Sequence, residues 1–296
     1  MRRVLAMGLV AAASAALAGD DLRIRTAVGG RWRLEYAVRT RFTQADARAS
    51  TSVESGEEWV ARLTVERIES RDAKPSLAYM KLLFERFLLT QNVERRFRRL
   101  VRRADGKTVV DNEPATGRRF EYDMAEYKNA DEKDVPREFR SLHRMLSEEQ
   151  ELRVDASGRV TFDSAAVMGR YIRILPPLPP NGNPDGDWSH TVEWATDAGR
   201  FVFHLRCSAE AAPGGWRLRR RLEKLEIKDA APHLRIRVEE ARFDGSYRLE
   251  NGAPLLQGDT TILLRLRILC LLGPLEVRVE TVLRSSVNVR LSKAPQ

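Results

Sequence analysis

The feature that most constrains this chain is a strict alternation of apolar and charged residues over unusually long stretches. In the longest run, Leu275, Val277, Val279 and Leu283 alternate with charged residues such as Arg278. Side chains of a β-strand point to opposite faces in turn, so this period of two predicts a strand with one apolar face. At about 3.3 Å per residue the strand approaches a length of about 50 Å. Strands of that length favour a broad, twisted or curved sheet over a compact sandwich.

The same alternation recurs along most of the chain. It is present in 32–42, 59–65, 201–207, 234–238 and 262–270. Between Leu152 and Phe162, two short apolar runs flank the turn-forming residues 155–158, which predicts a hairpin. We therefore predict a mainly β fold: long antiparallel, curved sheet or sheets in two halves, with one or two packing helices.

Helical patterns are few. Residues 136–150 are predicted to form a helix, because Pro136 suits a first helical turn and Phe139, Leu142 and Leu146 recur at helical spacing. Residues 76–89 fit either a helix or a strand. The helix over 136–150 is expected to pack its apolar stripe on the sheet.

A stiff segment near the middle of the chain divides the pattern. Residues 175–180 read Leu-Pro-Pro-Leu-Pro-Pro, and the turn-forming run that follows extends to Asp187. We predict an N-terminal β-rich half over 19–174, a linker over 175–187 and a C-terminal antiparallel β half over 188–296. Whether the two halves share one sheet is left open by the pattern.

The first 18 residues have the three parts of a secretory signal peptide. Arg2 and Arg3 provide the positive charge, an apolar run ends at Ala16, and Ala18 followed by Gly19 suits cleavage. The apolar run is shorter than the roughly 20 residues of a membrane-spanning helix. The alternative is a buried N-terminal helix. The signal reading predicts export to the periplasm or the extracellular space, and no transmembrane span in the mature chain.

The chain is basic, with a formal net charge of +9, and much of the arginine lies in two strips. The first strip is Arg95, Arg96, Arg98, Arg99, Arg102 and Arg103 around Phe97, and the second is Arg217, Arg219, Arg220 and Arg221 around Leu218. Guanidinium groups bind phosphate and carboxylate, so anionic envelope components are one partner class. The simpler interpretation is that the strips are solvated faces. Export argues against nucleic acid as the partner.

Two cysteines, Cys207 and Cys270, lie on the apolar side of their strand patterns. In an oxidising compartment such a pair can form a disulfide. The alternative is a pair of buried free thiols. The spacing alone leaves both open.

No pattern in the sequence predicts a metal site or a catalytic site. Asn181, Asn183 and Asp185 resemble the start of a calcium loop, but Val192 stands where a bidentate glutamate is needed. The four histidines have no metal-ligand spacing. Ser189 and His190 are adjacent in a strand, so their side chains point to opposite faces and do not form a hydrolytic pair. We expect no cofactor and no enzymatic activity.

The middle of the chain resembles a family of exported bacterial β-sheet proteins, a domain of unknown function. That family carries a segment of the type Leu-Pro-x-x-Pro followed by Gly-Asp-x-Trp, and the corresponding residues here are Leu175, Pro176, Leu178, Pro179, Gly186, Asp187 and Trp188. This chain departs from the family pattern in that residues 181–185 replace an apolar residue and a simpler turn, and Asp187 directly precedes Trp188. The resemblance implies export and a sheet-rich fold, and no activity is established for the family. More remotely, the plan is similar to the LolA-type lipoprotein carriers, in which helices lie against the concave face of a half-barrel.

These observations favour an exported, non-enzymatic protein that holds a lipophilic ligand on a curved apolar sheet face. An apolar face that few helices can cover needs another sheet, a partner or a ligand. Trp188, Trp194, Phe201 and Phe203 are the candidate ligand-lining residues. The alternatives are a structural or assembly module of the cell envelope, and a hydrolase with an unrecognised site.

Overall fold

A computed structural model describes residues 26–71, 74–102, 108–112, 115–127, 130–155, 160–162, 178–179, 186–272 and 275–294. Most of these residues lie in strands. The strands are β1 Arg31–Ala45, β2 Ala49–Arg71, β3 Lys74–Arg102, β4 Thr108–Asn112, β5 Thr116–Asp123, β6 Gln150–Asp155, β7 Val160–Phe162, β8 Trp188–Thr196, β9 Gly199–Ala212, β10 Gly215–Lys228, β11 Leu234–Glu250, β12 Gln257–Leu272 and β13 Leu275–Lys293. One α-helix, α1 at Arg140–Ser147, follows two 3-10 turns at Glu132–Asp134 and Arg137–Phe139. None of the helices in these ranges is long and apolar enough to cross a membrane.

The strands form one antiparallel sheet in the order β7-β6-β3-β2-β1-β13-β12-β11-β10-β9-β8, and β4 and β5 also pair with β3. The first and last described strands of the chain, β1 and β13, are neighbours, with Trp32 to Ala45 of β1 paired with Lys293 to Glu280 of β13. This pairing joins the two sequence halves into one sheet. The prediction of a mainly β, curved antiparallel fold is confirmed.

One face of the sheet, the inner face, is apolar and largely buried. The buried residues there fall into two clusters. The first cluster contains inner-face residues of β1, β2 and β3, including Leu34, Trp59 and Met80. It also contains residues that lie outside the strands, among them Leu146 of α1 and Leu255, so this part of the face is covered by other segments of the chain.

The second cluster lies on the inner face of β8 to β13. Its buried members are Phe201, Phe203, Leu205, Phe243, Ile262, Leu264 and Leu266. The partly buried residues that pack against them, such as Trp194 and Leu283, are also strand residues. Within the described ranges, therefore, the second cluster is built from the sheet alone.

The predicted helix over 136–150 is too long. Its first residues form a 3-10 turn, α1 covers only Arg140–Ser147, and Gln150 already begins β6. The side-chain amide of Gln150 donates to the carbonyl of Met145 at 2.8 Å, which satisfies one of the orphan carbonyls at the helix end. Residues 76–89, which fitted either a helix or a strand, belong to the 29-residue strand β3.

The predicted hairpin is confirmed, because β6 and β7 pair antiparallel with Leu152 opposite Phe162. Two other predictions fall largely outside the described residues. The proposed signal peptide, residues 1–18, lies outside them entirely, and of the linker over 175–187 only Leu178, Pro179, Gly186 and Asp187 are described.

Candidate functional site

A line of cross-strand neighbours with polar members, the polar row, crosses the inner face between the two clusters. On the C-terminal side it runs from Cys207 on β9 to Arg220 on β10, Gly245 on β11 and Thr260 on β12. It continues through Val287 and Val38 to Glu57 on β2. Arg220 is fully buried, at 0% exposure. A buried charge on an otherwise apolar face is the most unusual feature of the molecule.

The Arg220 guanidinium is held from one side only. Its Nη2 donates to the hydroxyl of Tyr247 and, at 3.3 Å, to Oγ1 of Thr260. These two hydroxyls also hydrogen-bond to each other at 2.6 Å. The centre of the guanidinium lies 4.6 Å from the ring of Phe243 and 5.1 Å from that of Tyr247. Aromatic rings at these distances stabilise a cation through their quadrupoles.

Gly245 creates the space that this arrangement needs. A Cβ atom at position 245 would overlap the hydroxyl and ring of Tyr247. Tyr247 is two residues along the same strand, so its side chain points to the same face and folds across the gap that the glycine leaves. Its hydroxyl thereby reaches both Arg220 and Thr260, which are the two cross-strand neighbours of Gly245.

The remaining guanidinium nitrogens of Arg220 are unsatisfied. Nε and Nη1 are buried and have no hydrogen-bond partner among the described residues. Burial lowers the pKa of this guanidinium, and no carboxylate within those ranges offsets the effect. Burying a charge without a counter-charge costs several kcal/mol. This environment therefore favours the arrival of an anionic group.

The other titratable groups near Arg220 are uncharged at neutral pH. Burial, and then the charge of Arg220, lower the pKa of His190 to about 4. Burial raises the pKa of Cys207 to about 11, so the residue is a thiol rather than a nucleophilic thiolate. Burial also raises the pKa of Tyr247. Arg220 is therefore the group that gives this part of the inner face its charge.

Sequence reasoning placed Arg220 on a solvated face, and this prediction is wrong. The neighbours Arg219 and Arg221 are indeed exposed, because they point to the outer face. Arg220, however, shares the register of Trp216, Leu218 and Leu222, which is the apolar register of β10. That period of two was the signal in the sequence, and grouping the arginines by composition concealed it.

The four candidate ligand-lining residues lie on the inner face of β8 and β9. Trp188 pairs with Cys207 in the polar row, and Trp194 pairs with Phe201. Phe201 and Phe203 are buried in the second cluster, at 5% and 1% exposure. Trp194 is half-buried, and its ring centroid lies 4.7 Å from that of Phe203.

A continuous line of aromatic contacts joins Trp194 and Phe203 to Arg220. The ring centroids of Phe203 and Phe243 are 5.7 Å apart, and Phe243 is the ring that lies against the guanidinium. Trp194 lies 6.4 Å from Phe243. The aromatic part of the second cluster is therefore in direct contact with the buried charge.

An apolar row leads away from the second cluster across the sheet. Leu264 on β12 is followed by its cross-strand neighbours Leu283, Phe42, Val53 and Val93 on β13, β1, β2 and β3. At roughly 4.8 Å between strands this row spans about 19 Å. Leu264 is buried, whereas the other four side chains are partly exposed.

Two exposed phenylalanines extend this apolar surface. Phe120 is 37% exposed and Phe97 is 46% exposed. Phe120 pairs with Gln91 two positions from Val93, and Phe97 lies four positions beyond Val93 on β3, so both belong to the inner face. Phe120 therefore borders the apolar row, whereas Phe97 lies about 13 Å along β3 from Val93. Exposed apolar side chains beside an apolar row are typical of interaction surfaces.

The outer face carries a different feature, a polar cavity of about 880 Å³. Its lining includes the five arginines Arg39, Arg41, Arg119, Arg242 and Arg284 and the three acidic residues Glu54, Glu58 and Asp244. Several of these charges pair with each other, as Arg39 does with Glu58 at 3.3 Å and Arg41 with Glu54 at 3.2 Å. Arg119 and Arg242 pair with Glu121 and Glu240 outside the cavity, so four of its five arginines have a carboxylate partner, unlike Arg220.

The two cysteines are not brought together. Both are free thiols. Cys207 on β9 belongs to the polar row, whereas Cys270 on β12 is ten residues beyond Thr260, which is about 33 Å along the strand. A disulfide requires Cα atoms within about 7 Å. Of the two alternatives that the sequence left open, two free thiols rather than a disulfide describe this structure.

The described residues contain no group of three or more side chains suited to a metal ion. Most of the calcium-like loop lies outside the described ranges. Ser189 and His190 point to opposite faces of β8, and Asp187 instead accepts a hydrogen bond from Nε of Arg206 at 2.6 Å. These three residues therefore do not form a hydrolytic triad.

No protein-family model matches the chain, and no curated protein matches it. Similar solved structures include "Lipid-protein interactions in lipovitellin", with 8% identity over 92% of this chain and 26% of that chain, at a TM-score of 0.42. The chain thus spans about a quarter of the lipovitellin chain. The transport unit of the autotransporter AIDA-I from Escherichia coli has 6% identity, 88% and 90% coverage and a TM-score of 0.16. OprB of Pseudomonas putida has 7% identity, 88% and 93% coverage and a TM-score of 0.19. At these TM-scores the similarities carry no argument about function.

Proposed function

We propose that this protein is a non-enzymatic binding protein that holds a lipophilic ligand on the inner face of its curved sheet. The observation that carries the proposal is the apolar row, which leaves the buried second cluster and becomes partly exposed on β13, β1, β2 and β3. Exposed apolar surface next to a buried apolar cluster gains free energy, at about 25 cal/mol per Å², when a ligand covers it.

The extent of this surface suits an elongated hydrocarbon. The apolar row crosses five strands in a single register, and Phe120 widens it on β5. A row that runs across the strands provides one continuous strip, because neighbouring side chains on the same face of an antiparallel pair are in contact. A flexible chain laid along this strip would be shielded from water on one side throughout its length.

The test is a titration of the delipidated full-length protein with a lipophilic dye whose emission rises in apolar surroundings. Replacing the paired Val53 and Val93 by glutamine should weaken binding by about tenfold, because two partly exposed apolar contacts are lost. The matched control is Ser52→Gln with Glu94→Gln, the adjacent cross-strand pair on the outer face. Equal affinities for the two double variants would refute a site on the inner face.

We further propose that the protein acts after export. The basis is the signal-like pattern of residues 1–18. Sequencing the N-terminus of the protein purified from its native cells should give a first residue of Gly19. A mature chain that still starts at Met1 would contradict this location.

A further inference from the structure

We propose that Arg220 binds the anionic head group of the ligand, and that the ligand class is the long-chain carboxylates. This inference rests on the proposed function, which supplies the hydrocarbon site, and adds the polar end. The guanidinium is fully buried at the border of the second cluster. A ligand held there would place its charge at Arg220 and its hydrocarbon on the apolar residues beside it.

The hydrogen-bonding capacity of Arg220 is only partly used. A guanidinium has five N–H donors, one on Nε and two on each Nη. The described contacts are all made by Nη2, which donates to Tyr247 and Thr260. Nε and Nη1 are buried and have no acceptor within the described ranges. Three donors on a cation therefore lack acceptors, and a carboxylate oxygen is the acceptor that also supplies the counter-charge.

The surroundings select an anion rather than a metal or a neutral polar group. His190 is neutral at physiological pH and Cys207 is a protonated thiol, so neither competes as a counter-charge. Tyr247 and Thr260 share a hydrogen bond of 2.6 Å in which one hydroxyl is the donor. The other hydroxyl proton is thus available to a ligand oxygen. Arginine and a hydroxyl group together form a site that stabilises a carboxylate.

A continuous apolar path leads from Arg220 to the exposed part of the inner face. Phe243 lies against the guanidinium, and its cross-strand neighbour is Ile262. Two residues further along β12 is Leu264, the start of the apolar row. The head group and the hydrocarbon strip of the proposed function are therefore adjacent, which is the arrangement that an amphipathic chain requires.

The experiment compares a sixteen-carbon fatty acid with the fatty alcohol of the same length, each titrated calorimetrically into the delipidated full-length protein. The wild type should bind the carboxylate about tenfold or more tightly than the alcohol, the gain expected of a charge-assisted hydrogen bond to a buried cation. Arg220→Met should remove this preference, so that the variant binds the acid and the alcohol with similar affinity. Arg221→Met, on the outer face of the same strand, is the matched control and should retain the preference.

The outcomes separate the two proposals. If neither ligand binds to the wild type, the proposed function fails. If both bind equally, or if the preference for the carboxylate survives in Arg220→Met, the role of Arg220 is refuted while the lipophilic site stands.

A second measurement covers the case in which Arg220→Met does not fold. The fatty acid, labelled with ¹³C at its carboxyl carbon, is bound to the wild type and titrated by NMR. Its pKa should fall below that of the free acid, because the guanidinium favours the ionised form. A pKa that is unchanged or raised would refute contact with Arg220.

Discussion

The two apolar clusters of the inner face are covered in different ways. In the first cluster the chain covers its own apolar surface, since Leu146 of α1 and Leu255, which lie outside the strands, belong to that cluster. The second cluster contains only strand residues within the described ranges. An apolar surface that the chain itself covers contributes to folding, whereas one that continues into exposed positions is available for binding. We call the first cluster with Glu57 the first region, and the second cluster with Arg220, which lies against Phe243, the second region. The binding role that we propose belongs to the second region.

The buried charged residues of the two regions also differ in their hydrogen-bond partners. Glu57 and Arg220 belong to the same polar row, five strands apart, which is about 24 Å. Glu57 accepts a hydrogen bond from Nε1 of Trp59 at 3.1 Å in the first region. In the second region, Nε and Nη1 of Arg220 have no partner among the described residues. The Glu57 carboxylate has a partner in the fold, whereas the free donors of Arg220 are those to which we assign the head group of the ligand.

The first prediction has the largest expected effect and tests whether the first region contributes only to stability. Leu146→Ala removes a fully buried side chain from the covering helix. We expect the free energy of unfolding, measured by urea denaturation, to fall by about 2–5 kcal/mol because a cavity is left. The exposed neighbour Ser141→Ala should change it by less than about 0.5 kcal/mol. Loss of ligand binding in a folded Leu146→Ala variant would break the division between the two regions.

The second prediction compares a histidine from each region. His143 has a hydrogen bond to the hydroxyl of Tyr122 at 2.9 Å, whereas Nδ1 of His190 is buried without a partner among the described residues. The folded state lowers the pKa of His190 from 6.5 to about 4. Above pH 6.5 neither the folded nor the unfolded chain protonates it. As the pH falls from 6.5 to 4, only the unfolded chain binds the proton, so stability decreases over this window.

At pH 4 the loss in unfolding free energy should reach about 3 kcal/mol, because one unit of pKa difference corresponds to about 1.4 kcal/mol. The measurement is the difference in unfolding free energy between the wild type and His190→Gln, taken at pH 7 and at pH 4. The variant should lose less stability than the wild type over this range. His233→Gln, at an exposed position, is the control. A difference that does not change with pH would show that His190 is protonated in the folded state.

The third prediction concerns Gly245, which leaves the space that Tyr247 occupies beside Arg220. Gly245→Ala should displace the side chain of Tyr247 from Arg220, because the added Cβ overlaps the phenol. We expect a loss of about 1–3 kcal/mol in unfolding free energy, as for other overpacked positions. Ser246→Ala, on the outer face of the same strand, should be nearly neutral. An unchanged unfolding free energy in Gly245→Ala would mean that Tyr247 does not need to fold across this gap.

The strands that carry the two regions could largely be predicted from the sequence. The long alternation of 275–291 predicted a strand, and β13 covers Leu275–Lys293. What the alternation could not give is which strands become neighbours. The pairing of β1 with β13 joins residues more than 200 positions apart. No local pattern encodes such a contact, because it depends on the shape of the whole sheet.

The residues of the candidate site could be predicted only in part from the same alternation. Trp188, Trp194, Phe201 and Phe203 were predicted to share an apolar face, and the structure places all four on the inner face. The contact of Tyr247 with Arg220 could not be predicted, because it requires Gly245 to lie between Arg220 and Thr260 on neighbouring strands. The length of the helix was overestimated because an apolar spacing continues into β6 without marking the change of structure.

The smallest expected effect tests the contrast between the two buried charges. In the ligand-free protein, Arg220→Met should raise the free energy of unfolding by about 1 kcal/mol. The variant loses the bonds of Nη2 to Tyr247 and Thr260, but these two hydroxyls keep their mutual bond of 2.6 Å. In return it removes a buried charge whose Nε and Nη1 have no described partner. A buried charge without a counter-charge costs several kcal/mol, and an apolar side chain of similar length avoids this cost.

Glu57→Gln provides the opposite case. Its carboxylate accepts from Trp59, so the substitution should lower the free energy of unfolding by about 1 kcal/mol. Opposite signs for the two variants would establish that the protein stabilises one charge and tolerates the other. A strong loss of stability in Arg220→Met would instead mean that the folded chain itself supplies the counter-charge. In that case Arg220 would be a structural element like Glu57, and the two regions would no longer differ.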